Sequence, residues 1–306
     1  MHIPYRYLSE YPAGRYRQAA SRIASYKALI EKRTHPIDAL IAKFGRIPDE
    51  LLTPRACPTC GATAEQPELS KDHMAVVPLW RVRSGVRQSD LRRGALPRAY
   101  ASAEYQEIVR DLGISSHEYR VGRFGNERVT LMEARVRHRG EQLVRYLDVG
   151  CSTGFVVEAA RDRGWDATGI DLNPSAVEFG RARGLDLRTV ALDHAGFAAG
   201  SFDAISLFDV LEHLLAPAAT LRSCINLLAR GGILFLYVPN YDSASRLLMG
   251  AAAHFIWPTH HLNYYTPATL TDLMARHGLA TGVRRYRRSR YPGLHLVSPR
   301  GVGQGV

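Results

Sequence analysis

Apolar positions fall into two regimes along the 306-residue chain. In the first third they are sparse and, where regular, helical. Tyr16, Ala19, Ala20, Ile23, Tyr26 and Ile30 recur three or four apart, which predicts an amphipathic helix from Arg15 to Glu31. A second helix is expected from Pro36 to Phe44, stopped by Gly45 and Pro48. Tyr100 to Leu112 and Asn126 to Gly140 also read as helices, with Val129, Met132 and Val136 on one face of the latter. From residue 147 onward, short apolar runs bounded by Gly, Asp and Pro alternate with stretches of helical period. Strands are expected at Leu147-Asp148-Val149, at Gly169-Ile170-Asp171, around Leu187 to Ala191, from Phe202 to Phe208 and from Ile233 to Val238. Helices are expected between them, from Phe155 to Arg163 and from Pro174 to Arg183, and Asp209-Val210-Leu211-Glu212-His213 leads into another. Such alternation predicts a parallel sheet with helices on both faces. The composition shift places a boundary near residue 95, with a mainly helical accessory region at 1–95 and the α/β domain at 96–306.

The turn after the first strand carries the chemistry. Gly150-Cys151-Ser152-Thr153-Gly154 is built of small residues, and glycine lets a backbone approach a ligand where a side chain would collide. The helix that follows aims its N-terminal amides at the same place. Asp171, closing the next strand, is placed to accept hydrogen bonds from both hydroxyls of a ribose. A nucleoside ligand follows from this arrangement. The dinucleotide fingerprint has glycine at its first, third and sixth positions, whereas the third here is Ser152 and the sixth Phe155. The same five residues satisfy the nucleophile-elbow pattern of α/β-hydrolases. Those enzymes place several strands ahead of the elbow, and the residues upstream here are polar, Arg-rich and helical in pattern.

Together these motifs resemble class I S-adenosylmethionine-dependent methyltransferases, in the small-molecule branch related to ubiquinone-biosynthesis O-methyltransferases and natural-product methyltransferases. The resemblance rests on the ordered series from Leu147 through Asp171, Asp193, Phe202-Asp203 and Glu212-His213 to Val238-Pro239-Asn240. It implies a Rossmann-like, parallel-dominated, seven-stranded sheet and S-adenosylmethionine as cofactor, with S-adenosylhomocysteine as product. It further implies a cofactor site of Tyr105, Asp148, Gly150, Cys151, Ser152, Gly154, Asp171, Leu172, Asp193 and Phe208, in which Asp148 faces the methionine end and Asp193 holds the adenine amino group. The segment after the fifth strand, His260-His261-Leu262-Asn263-Tyr264-Tyr265-Thr266, resembles the His-plus-aromatic segment of that branch. His260 and His261 are candidates for the base that takes a proton from the acceptor, and Tyr264 for acceptor contact. Histidine titrates near neutral pH, which suits that role.

Composition changes the picture in three places. Net charge is +11, but only Lys27, Lys32, Lys43 and Lys71 are lysines and the arginines are scattered, apart from the run at Arg284 to Arg290. Charge of that kind does not by itself make a nucleic-acid surface; an RNA-modifying methyltransferase and a catalytically silent interaction protein stay as the alternatives to a small-molecule enzyme. The four cysteines, Cys57, Cys60, Cys151 and Cys224, form no disulfide framework, and no signal peptide or membrane-spanning run is apparent, so a cytoplasmic setting without a membrane partner is expected. Cys57-Pro58-Thr59-Cys60 is half of a zinc knuckle, with His73 the only other candidate ligand near it. Two thiolates do not close a tetrahedral site. Asp209, Glu212 and His213 would suit a divalent cation if the acceptor added oxygens, but no metal site is assigned. The N-terminal helices would pack on the main domain, cap its site or pair two subunits into a homodimer.

Overall fold

In a computed structural model, residues 113–136, 143–253, 255–256 and 261–284 are described, with the segments 42–43, 52–54, 69–71, 74–76, 89–91 and 294–299. The chain divides into two compact units, Met1–Pro48 and Asp49–Val306. In the second unit, Leu52–Pro54 pairs antiparallel with Ser89–Leu91.

A seven-stranded sheet organises the second unit. Its strands are β1 (Arg145–Val149), β2 (Asp166–Asp171), β3 (Asp186–Thr189), β4 (Phe202–Phe208), β5 (Leu228–Tyr237), β6 (Leu279–Arg284) and β7 (Leu294–Pro299). The order is β6-β7-β5-β4-β1-β2-β3. The five strands β3, β2, β1, β4 and β5 run parallel, and β7 joins β5 antiparallel while pairing antiparallel with β6. The sheet is therefore parallel in five of its seven strands, and only an antiparallel hairpin extends one edge.

Seven helices are named here: α1 (His117–Arg120), α2 (Asn126–Glu133), α3 (Phe155–Arg161), α4 (Pro174–Ala182), α5 (Pro217–Leu227), α6 (Ala244–Met249) and α7 (Pro267–Arg276). Their starts are legible in side-chain chemistry. Asn173 caps α4 by accepting from the Ala176 amide ahead of Pro174 at its first position, and Thr266 and Thr269 form a reciprocal capping box on α7 ahead of Pro267. One expected helix differs: that expected to Gly140 ends at Glu133 because Ala134 closes it in a turn, and residues 137–140 lie outside the described set. The segment Asp209–His213 leads into α5 as expected, through one 3₁₀ turn at Leu211–His213. The helix expected from Tyr100 to Leu112, the Cys57–Cys60 turn with His73, and the arginines at 285–290 also lie outside the described residues.

The strand period of two builds two cores. Leu147, Ile205, Leu207, Leu234 and Leu236 bury one face of the sheet with residues of α5 and α7. Tyr146, Ala204, Phe208 and Phe235 bury the other with Val129, Met132, Phe155, Val156 and Trp165. Asp148 and Ser206 fall in register with Tyr146 and Phe208, so a carboxylate and a hydroxyl are carried into this second, apolar layer.

Candidate active site

The C-terminal ends of β1, β2 and β4 meet where open α/β sheets bind ligands. Two non-glycine residues among those described have positive φ, Ser152 at 53° and Asp209 at 59°, and both lie on this edge. Such backbone is costly and collects at functional sites. Gly150, at φ +77°, is pressed so closely against Val210 that a Cβ would stand 2.4 Å from Cγ2. Only glycine fits there.

Four amides of the turn ahead of the helix are engaged within the protein. Gly150 and Cys151 donate to the Ile170 carbonyl at 2.8 and 3.0 Å, Gly154 donates to the Cys151 carbonyl at 2.9 Å, and Ser152 donates to Asp171 Oδ2 at 2.7 Å. The Cys151 side chain also turns inward, to pack with Val157, Val177, Leu185 and Leu187, and burial pushes its thiol well above the usual range. Cys151 thus shapes the turn from inside. Through these four amides the turn holds a fixed shape.

Asp171 is the centre of the polar arrangement. Its other oxygen accepts from the Asn173 amide at 2.8 Å, and burial raises its pKa against the lowering effect of these amides. A carboxylate has about four acceptor positions, so lone pairs remain for ribose hydroxyls. Leu172 beside it holds its side chain in solvent, 70% exposed, as an apolar platform at the same edge. Asp193 is exposed and accepts from Ser223 Oγ at 2.7 Å. Tyr105 lies outside the described residues.

Asp148 is buried and accepts from Ser206 Oγ at 2.6 Å, while Ser206 is bonded in turn to the Tyr146 hydroxyl. Burial lifts its pKa to about 6, against the opposing effects of Ser206, Arg128 and Tyr146. Arg128, from α2, bonds Asp209 Oδ2 at 3.0 Å and lies over the rings of Phe208, Phe155 and Tyr237, at 4.4 Å from the first. Arg120 stands over Phe155 at 4.1 Å, and burial lowers its pKa to about 10. Phe208 is thereby a buried floor under a guanidinium. Sequence reading missed Arg128, Arg120, Ser206 and Tyr146, because only the register of β1 and β4 and the return of α2 across the sheet bring them together.

The segment after β5 folds back on the turn after β4. The amides of Leu262 and Asn263 donate to the Glu212 carbonyl at 2.7 and 2.9 Å, and Asn263 Nδ2 donates to the carbonyls of Leu211 and Leu214 at 3.1 and 2.8 Å. This stitching sets the His261 ring 4.7 Å from that of His213, edge to face. His261 Nδ1 lies 2.8 Å from the Phe255 carbonyl. A carbonyl only accepts, so Nδ1 carries a hydrogen, and in the neutral ring Nε2 is the acceptor. Tyr264 is buried against Tyr241, ring centroids 5.7 Å apart, as part of the wall behind His261. His260 lies outside the described residues.

Glu212 is buried, with Oε2 lacking a hydrogen-bond partner, and burial together with the charge of Asp209 raises its pKa well above the carboxylate range. Ligand atoms of Glu212, His213 and His261 all lie within 4.8 Å of one another. Asp209 turns to Arg128 and away from this group. One carboxylate and two imidazoles would hold a divalent cation only by using the His261 Nε2 lone pair, since Nδ1 is taken by Phe255.

Residues 116–281 match the family model for a methyltransferase domain. A ubiquinone biosynthesis O-methyltransferase of Xanthomonas axonopodis pv. citri is 35% identical over 165 residues, covering 50% of this chain and 68% of that protein. Its counterpart in Xanthomonas oryzae pv. oryzae is 37% identical over 139 residues, covering 41% of this chain and 58% of its own length. Among solved structures, a putative O-methyltransferase from Nostoc punctiforme is similar at a TM-score of 0.49 and 16% identity, covering 62% of this chain and 60% of that one.

Proposed function

Because the chain belongs to the methyltransferase-domain family, with S-adenosylmethionine as its cofactor, we propose that it methylates a hydroxyl oxygen of a small molecule and that His261 takes the proton. The observation that carries the reading is the contact of His261 Nδ1 with the Phe255 carbonyl, which in the neutral ring makes Nε2 the basic nitrogen. An amine acceptor needs only to be held neutral, whereas a hydroxyl must lose its proton as it attacks. The relatives' names as O-methyltransferases favour the hydroxyl. We take the acceptor to be a sugar, an aminosugar or another natural-product intermediate of similar size.

When bound, the cofactor supplies a methyl group already activated on a sulfonium, so this chain's residues align and desolvate. Asp171 receives the ribose hydroxyls and Leu172 lies under the adenine. Arg128 and Arg120 are the cations beside Asp148, suited to the carboxylate of the methionine end, and Asp148 to its ammonium. His261 accepts the acceptor's proton at Nε2.

The test pairs transfer of a labelled methyl group to hydroxylated and amino acceptors with His261→Ala. Loss of about 10²–10⁴-fold in rate with unchanged cofactor affinity supports the base. A rise in KM with kcat intact means that His261 only positions the acceptor, and the proposal fails.

A further inference from the structure

Away from the sheet edge, one buried polar chain has no part in the chemistry described so far. His117, on α1, is 1% exposed. Its Nε2 lies 2.6 Å from Glu158 Oε2 on α3, and its Nδ1 lies 2.8 Å from Thr153 Oγ1 in the cofactor turn. Arg183 closes the other side of Glu158 with two bonds of 3.1 Å, and Phe179 packs its ring edgewise on the imidazole at 5.2 Å.

Protonation states follow from the partners. Burial pushes the Glu158 pKa up, but the bonds from Arg183 and His117 outweigh it and keep the carboxylate ionised. Burial holds His117 below its usual pKa, so the ring is neutral at pH 7. Nε2–H then donates to Glu158, and Nδ1 accepts from the Thr153 hydroxyl. Thr153 is fully buried, and it stands between Ser152 at φ 53° and Gly154 at φ 80°. Gly113, just ahead of α1, also crowds it, since a Cβ there would stand 3.0 Å from Thr153 Cγ2.

The strained turn therefore has two side-chain anchors, Asp171 on the Ser152 amide and His117 on the Thr153 hydroxyl. Asp171 faces the sheet edge, whereas His117 reaches the turn from the buried side. We propose that His117 is a positioning residue for cofactor binding: through Thr153 it holds the Ser152–Gly154 turn in its binding shape and couples that shape to the seating of α1. The inference rests on S-adenosylmethionine as cofactor, and wild-type binding checks that premise separately.

Two substitutions divide the imidazole's bonds. His117→Gln places an amide nitrogen where Nε2 was and keeps the Glu158 bond, while His117→Asn reaches only the Nδ1 position and keeps the bond to Thr153. Thr153→Val removes the hydroxyl at nearly constant volume. Calorimetry with S-adenosylmethionine and S-adenosylhomocysteine should show Kd raised about five- to tenfold in His117→Gln and in Thr153→Val, the net worth of one neutral hydrogen bond. His117→Asn should bind within about twofold of wild type even where its melting temperature falls further than that of His117→Gln. The double variant His117→Gln/Thr153→Val should bind no worse than either alone. Affinity that tracks melting temperature across the set, or Thr153→Val binding as well as wild type, reduces His117 to a structural staple and overturns the proposal. If His117→Asn does not fold, the comparison of Thr153→Val with the double variant decides it alone.

Discussion

Asp171→Asn tests the centre of the site. The carboxylate receives the Ser152 amide at 2.7 Å and the Asn173 amide at 2.8 Å, one on each oxygen. An asparagine offers one carbonyl oxygen and one NH₂ group, so one amide is left facing a donor. Hydrogen bonds to a charged acceptor are worth about 1.5–3 kcal/mol each. Losing one in the turn should lower the melting temperature by a few degrees, about 2–4 °C per kcal/mol in a domain of this size. The ribose loses its charged acceptor as well, at a similar cost. Part of each loss is recovered by water because Asp171 is only half-buried. The expected outcome is a Kd for S-adenosylhomocysteine raised about 10- to 100-fold by calorimetry, with a folded protein by circular dichroism. A Kd within twofold of wild type, with the melting temperature unchanged, would refute both the anchoring of the turn and the ribose contact.

Asp148 gives the opposite sign in stability. Its pKa is about 6 in the fold against 3.8 for an aspartate in water, a difference worth about 3 kcal/mol. The folded state binds the proton more tightly than the unfolded chain, so the penalty is fully present above pH 6 and is relieved as pH falls from 6 toward 3.8. Asp148→Asn should therefore stabilise the cofactor-free protein by up to about 3 kcal/mol in urea melts at pH 8, and by much less at pH 4.5; equal gains at both pH values contradict the cause given. The same variant should bind cofactor more weakly, measured alongside. Gly150→Ala drives a methyl into Val210 at a positive φ and should cost about 1–3 kcal/mol of stability in the same melts, with Val210→Ala restoring only the steric part. Arg128→Ala removes the partner of Asp209 and the cation over Phe208, and cofactor affinity should fall by about tenfold or more; unchanged affinity would take Arg128 out of the site.

The local chemistry of the chain determined the parallel part of the sheet and the ligand edge. Apolar runs of strand length, an Asn-Pro and a Thr-Pro at helix starts, and small residues around Gly150 are short-range signals, because capping, turn conformation and burial period act within a few residues. Asp171 was legible for the same reason, closing a strand one crossover beyond the turn. What the turn's amides do was not legible: whether Gly150 and Cys151 donate to a ligand or to Ile170 depends on how far β2 reaches beside β1. Nor was the setting of His261. It meets His213 and Glu212 because Asn263 and two backbone amides bind carbonyls some fifty positions earlier, a partnership that no spacing encodes. Asp209, adjacent in sequence to that group, was drawn off by Arg128 from a helix eighty-one residues upstream. His117 likewise becomes a partner of Thr153 only when α1 is laid over the turn. Hydrogen-bond partners across such separations are chosen by the packing of whole layers, and that choice belongs to the tertiary structure alone.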